Sequence, residues 1–154
     1  MSTEHSQKDR RRRIGRYAPV LFWVCLIAYL SSSEGSSSST SRFLVPLLEY
    51  LFPSETVESI AFYHSLIRKS AHFFLYGGFA LVLMRAFTTS QRKTLNTSPW
   101  FYTFGAAALV AMADEINQSI NPLRTGTATD VLIDLTGVVS ALAFTLILSR
   151  LKKR

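Results

Sequence analysis

The chain has 154 residues, 48% of them hydrophobic, and a formal net charge of +7, which is one domain's worth of sequence. Charged and apolar residues are segregated, which argues against a water-soluble helical bundle, where each helix mixes the two and keeps one wet face. Lys8, Arg10, Arg11, Arg12, Arg13 and Arg16 precede the first apolar stretch, and Arg150, Lys152, Lys153 and Arg154 follow the last. Basic clusters in those positions mark the cytoplasmic ends of membrane spans. No nucleic-acid recognition motif accompanies them, so no nucleic-acid partner is expected. The one cysteine, Cys25, allows no internal disulfide.

Residues 1–16 read as a disordered, basic cytoplasmic tail. Residues 17–33 carry no charge and form the first span, near the lower length limit for crossing a bilayer. A basic region before a short apolar run also describes a secretory signal peptide. Here the later segments need the helix to balance the topology. The serine-rich stretch 31–41 reads as a flexible loop. Residues 43–52 are too few to span and predict an interfacial helix, with Ser54 and Glu58 at the start of the next helix. The second span covers about 60–87. The third, about 96–114, is the clearest, because residues 94–113 have no charge and Trp100, Phe101 and Tyr102 form an aromatic belt. Residues 114–130 read as a polar connector, the fourth span covers 130–149, and 151–154 form a basic end. Residues 17–150 thus make up the transmembrane domain.

The flanking charges predict an orientation. The N-terminal tail, the 88–98 loop with Arg92 and Lys93, and the C-terminus are basic. Segment 31–59 holds Glu34, Glu49, Glu55 and Glu58 against Arg42, and segment 114–130 is also net acidic. The expected fold is therefore an all-α bundle of four transmembrane helices with both termini inside and the acidic loops outside.

Charged groups within spans cost roughly 2.5–3.5 kcal/mol each on insertion scales, so they stand where they are paired or used. Lys69, His72 and Tyr76 follow at i, i+3 and i+7, on one face of the second span. The third span ends in Asp114 and Glu115, with Gln118 one turn on. Asp130 and Asp134 open the fourth at i, i+4, and Gly137 and Ala141 on the same face admit a close neighbour. Arg124 lies between the third and fourth spans. With the orientation above, three segments deliver polar groups to one level at the outer side of the membrane.

The pattern Lys69-x-x-His72-Phe73-x-x-Tyr76, then Asp114-Glu115-x-x-Gln118, Pro122-x-Arg124-x-Gly126 and Asp130-Val131-x-x-Asp134-x-x-Gly137 resembles the VanZ-like family over about residues 17–150. The resemblance implies a multi-pass membrane protein of the bacterial envelope, in the cytoplasmic membrane. The family's founding member is associated with low-level resistance to the glycopeptide teicoplanin.

Three readings of the polar residues follow. In the first, Lys69 and Arg124 neutralise some of Asp114, Glu115, Asp130 and Asp134 in a structural ion-pair network, the protein being a non-enzymatic envelope or glycopeptide-resistance factor. In the second, the outer side handles a membrane lipid or lipid-linked cell-wall precursor headgroup. A carboxylate beside His72 then exchanges protons, with Lys69, Asp114, Glu115 and Asp130 as catalytic candidates. Tyr76, Gln118, Arg124 and Asp134 are the binding candidates, and Lys69 and Arg124 suit a phosphate or carboxylate. A divalent cation on Asp114, Glu115 and Asp130 would be magnesium, calcium or manganese, given oxygen ligands. The third reading is a small ion or proton pathway, which the inner halves of the spans support poorly, Arg85 being their ionisable group.

Overall fold

A computed structural model describes residues 2–88, 99–120 and 127–152, and among these residues there is no strand. Five α-helices follow in order: α1 (Ser2–Ser31), α2 (Ser37–Leu51), α3 (Val57–Thr88), α4 (Pro99–Ile120) and α5 (Ala128–Leu151), with a 3-10 turn at Ser33–Gly35. Among the described residues, three segments are long and apolar enough to cross a membrane: Arg13–Ser31 of α1, and all of α3 and α5.

Several expectations need correction. Residues 2–16, read as a disordered tail, continue α1 without a break. The serine run is mostly helix, because the Ser36 side chain accepts the Ser39 N–H and caps α2 in its first turn. A helix does form where an interfacial one was expected, but it starts earlier, at Ser37, and Pro46 lies inside it. The entry to α3 is also shifted: Thr56 Oγ1, rather than Ser54, accepts the Ser59 N–H.

The end of α4 also differs from expectation: residues 114–120, read as part of a polar connector, are helical, so α4 continues through Asp114, Glu115, Asn117 and Gln118 to Ile120, while residues 96–98 of the expected third span lie outside the described residues. Within the bundle α4 is held against α1, α3 and α5.

The centre is the α3–α5 pair, and small residues set its spacing. A Cβ on Gly137 would overlap the Phe73 carbonyl, and one on Gly77 would stand 3.2 Å from the Gly137 carbonyl oxygen. Such residues let two backbones approach where no hydrophobic effect separates helix from lipid. Gly78 leaves room for the Trp23 ring of α1, whose Nε1 donates to the Leu75 carbonyl at 2.8 Å. Trp23 is therefore partly buried between helices and not an ordinary lipid-facing aromatic. Tyr76, Phe79, Ala107, Ala111 and Val138 fill the core, while Phe22, Phe74, Phe101, Leu109, Val139 and Ile147 point outward. An outward surface this apolar suits hydrocarbon.

Candidate functional site

Polar residues of α3, α4 and α5 meet at one end of the bundle. Tyr76 projects from α3 into the core, fully buried, and its hydroxyl donates to Asp114 Oδ2 of α4 at 2.9 Å. Gln118 sits one turn further along α4, and its Nε2 donates to the same oxygen at 3.0 Å. His72, one turn before Tyr76, contacts Asp134 Oδ1 of α5 through Nδ1 at 3.1 Å. Asp134 is fully buried and His72 partly exposed. The i, i+3 and i, i+4 spacings read from the chain thus do place these side chains on facing surfaces.

Glu115 belongs to the same end of the bundle but does a different job. Its carboxylate accepts the backbone N–H of Thr127, the residue that caps α5. A carboxylate there satisfies an N–H at a helix start and favours the positive end of the helix dipole. Asp130, in the first turn of α5, has its backbone N–H bonded to Thr127 and its side chain half-buried beside a polar pocket. Lys69 is exposed on α3 and lines that pocket. Arg124, Pro122 and Gly126 lie outside the described residues, as do Arg92 and Lys93.

The cation neutralisation expected of Lys69 does not take place among the described residues. The ion pair found in the cluster is His72–Asp134, and Lys69 does not come within 4.0 Å of a carboxylate. Three buried carboxylate oxygens, Asp114 Oδ1, Glu115 Oε2 and Asp134 Oδ2, have no hydrogen-bond partner among the described residues. Burying such groups uncompensated is costly, so their arrangement calls for a proton, a cation or a ligand.

Two of the cavities that border the cluster adjoin each other. The first, of about 370 Å³, is walled mainly by Trp23, Ile27, Leu30, Phe74 and Leu75, and reaches Arg68, His72, Asp114 and Gln118. The second, of about 320 Å³, is polar and lined by Ser65, Arg68, Lys69, His72, Thr127, Thr129 and Asp130. Arg68 and His72 belong to both. Sequence reading missed Arg68, although its position one turn before His72 was available as a signal. His64 is buried under α2, its Nε2 3.2 Å from Thr40 Oγ1. A smaller link, Asn117 Nδ2 to Ser31 Oγ at 3.0 Å, ties α4 to the end of α1.

No curated protein and no solved structure matches the chain. The family model described as VanZ/LLP1 matches residues 17–149, from the start of the apolar part of α1 almost to the end of α5. The chain belongs to the VanZ/LLP1 family.

Proposed function

We propose that this protein binds the anionic headgroup of a membrane amphiphile, a lipid or a lipid-linked cell-wall precursor, at the outer face of a bacterial cytoplasmic membrane. The observation that carries the reading is the meeting of an apolar and a polar cavity at Arg68 and His72. An amphiphile needs that pairing: hydrocarbon packs against Trp23, Ile27 and Phe74, while a phosphate or carboxylate reaches Arg68 and Lys69. Neither cation is within 4.0 Å of a carboxylate among the described residues, so both can serve a ligand. Arg68 suits bidentate contact with such a group and Lys69 adds a point charge.

The orientation belongs to the same reading. Basic flanks at residues 8–16, 92–93 and 150–154 keep both termini inside, with four spans including α4, which puts the polar cluster on the outer side.

Trp23 supplies the test. In a Trp100→Phe background, adding a polyprenyl phosphate or an anionic phospholipid to the detergent-solubilised protein should change Trp23 fluorescence saturably. Arg68→Ala should weaken the response by roughly tenfold or more, about 1.4 kcal/mol. A response equal for zwitterionic and anionic lipids, or untouched by Arg68→Ala, contradicts the reading.

A further inference from the structure

We propose that His72, Asp114 and Asp134 form a divalent-cation centre, one ligand from each of α3, α4 and α5. One ligand atom from each residue lies within 4.8 Å of the other two. The His72 Nδ1 to Asp134 Oδ1 separation of 3.1 Å is close to the ~3.4 Å between two ligands bonded at about 2.1 Å in a tetrahedral site.

The second observation is independent of that spacing. Asp114 and Asp134 are 8% and 0% exposed, and each keeps one carboxylate oxygen with no hydrogen-bond partner among the described residues. In Asp114 the other oxygen takes two donors, Tyr76 Oη and Gln118 Nε2, which fixes the carboxylate plane and leaves Oδ1 available. Carboxylates that ligate metals are oriented in this way by outer hydrogen bonds. Two buried carboxylates with no lysine or arginine within 4.0 Å among the described residues match the charge of one divalent ion.

The donor set differs from the oxygen-only site expected on Asp114, Glu115 and Asp130. Glu115 is engaged with Thr127, and neither it nor Asp130 joins the group. An imidazole beside two carboxylates favours zinc or manganese over magnesium or calcium. Three protein ligands leave coordination positions for water or a ligand oxygen, and His72 and Asp114 also line the apolar cavity. The centre does not depend on which amphiphile the cavities accept.

The test uses the purified full-length chain in phosphate-free detergent, stripped with a chelator. Titration with Mn2+ followed by electron paramagnetic resonance, and with Zn2+ by calorimetry, should give one ion per chain. His72→Ala and Asp114→Asn should each weaken binding at least ~100-fold, while Glu49→Gln on exposed α2 leaves it unchanged. Bound Mn2+ in the wild type should also show coupling to an imidazole nitrogen, a readout independent of how the variants fold. Absence of stoichiometric binding, binding unchanged in His72→Ala and Asp114→Asn, or bound Mn2+ without nitrogen coupling each overturns the proposal. Metal binding without anionic-lipid binding would sink the headgroup reading alone, and the reverse result would sink the metal centre alone.

Discussion

The Tyr76 hydroxyl donates to Asp114 Oδ2 at 2.9 Å, joining the middle of α3 to the polar end of α4 in a fully buried contact. The bond is one of two that the oxygen accepts, and with Gln118 it fixes the direction of the carboxylate. Tyr76→Phe keeps the ring and removes the donor. It should cost about 1–3 kcal/mol, the range for leaving a buried acceptor short of a partner, read as a lower midpoint in thermal unfolding. The same variant should weaken metal binding about 10–100-fold, as loss of an outer-shell donor does. Unchanged stability and affinity together would mean that Asp114 is oriented by Gln118 alone.

The α3–α5 contact gives a purely steric prediction. Gly137→Ala drives a methyl into the Phe73 carbonyl, and backbone cannot yield as a flexible side chain can. The variant should lose about 1–3 kcal/mol or more of stability and widen the helix pair. Gly105→Ala, where a Cβ meets nothing within 4 Å, is the matched control and should be neutral. Equal thermal midpoints for the two variants would contradict the packing described here.

At the other side of the bundle, α2 is held down by Ser36 and His64. Ser36→Ala removes the side-chain acceptor for the Ser39 N–H, a loss of about 0.5–2 kcal/mol for an N-cap. Because His64 bonds Thr40 of the same helix, the effect should be local. Hydrogen exchange should quicken over residues 37–42 while α3 and α5 stay protected. Uniform loss of protection would show instead that α2 unfolds only with the bundle.

Much of this arrangement was legible in the chain. The spacing of Lys69, His72 and Tyr76, and of Asp130 and Asp134, gave the facing surfaces, because a helix repeats every 3.6 residues whatever surrounds it. The close approach at Gly137 followed from size alone. Other features were hidden for physical reasons. A serine run carries little helix preference, and Ser36 caps α2 only through a hydrogen bond that composition does not reveal. Residues 114–120 look like a connector because charge commonly ends a span, whereas Asp114 and Gln118 lie within α4 and turn toward Tyr76 and each other. Which carboxylate meets which partner depends on rotation about each helix axis, so the Thr127 contact of Glu115 and the reach of Arg68 into both cavities had no local signature.

Topology has its own measurement. Cys25 is the one cysteine in the chain, so a Cys25→Ser background accepts single reporters. Thr129→Cys, exposed at the start of α5, should react with a membrane-impermeant maleimide in intact spheroplasts. Lys152→Cys should react only after permeabilisation. The opposite pattern would place the polar cluster on the cytoplasmic side and reverse the orientation argued from the basic flanks.

The central claim, recognition of an anionic amphiphile where the two cavities meet, is tested most directly by native mass spectrometry of the purified protein offered equal amounts of anionic and zwitterionic lipid. The account predicts that one anionic lipid per chain is retained in preference, and that Arg68→Ala removes the preference. Equal retention of both lipids by the unaltered protein would contradict it.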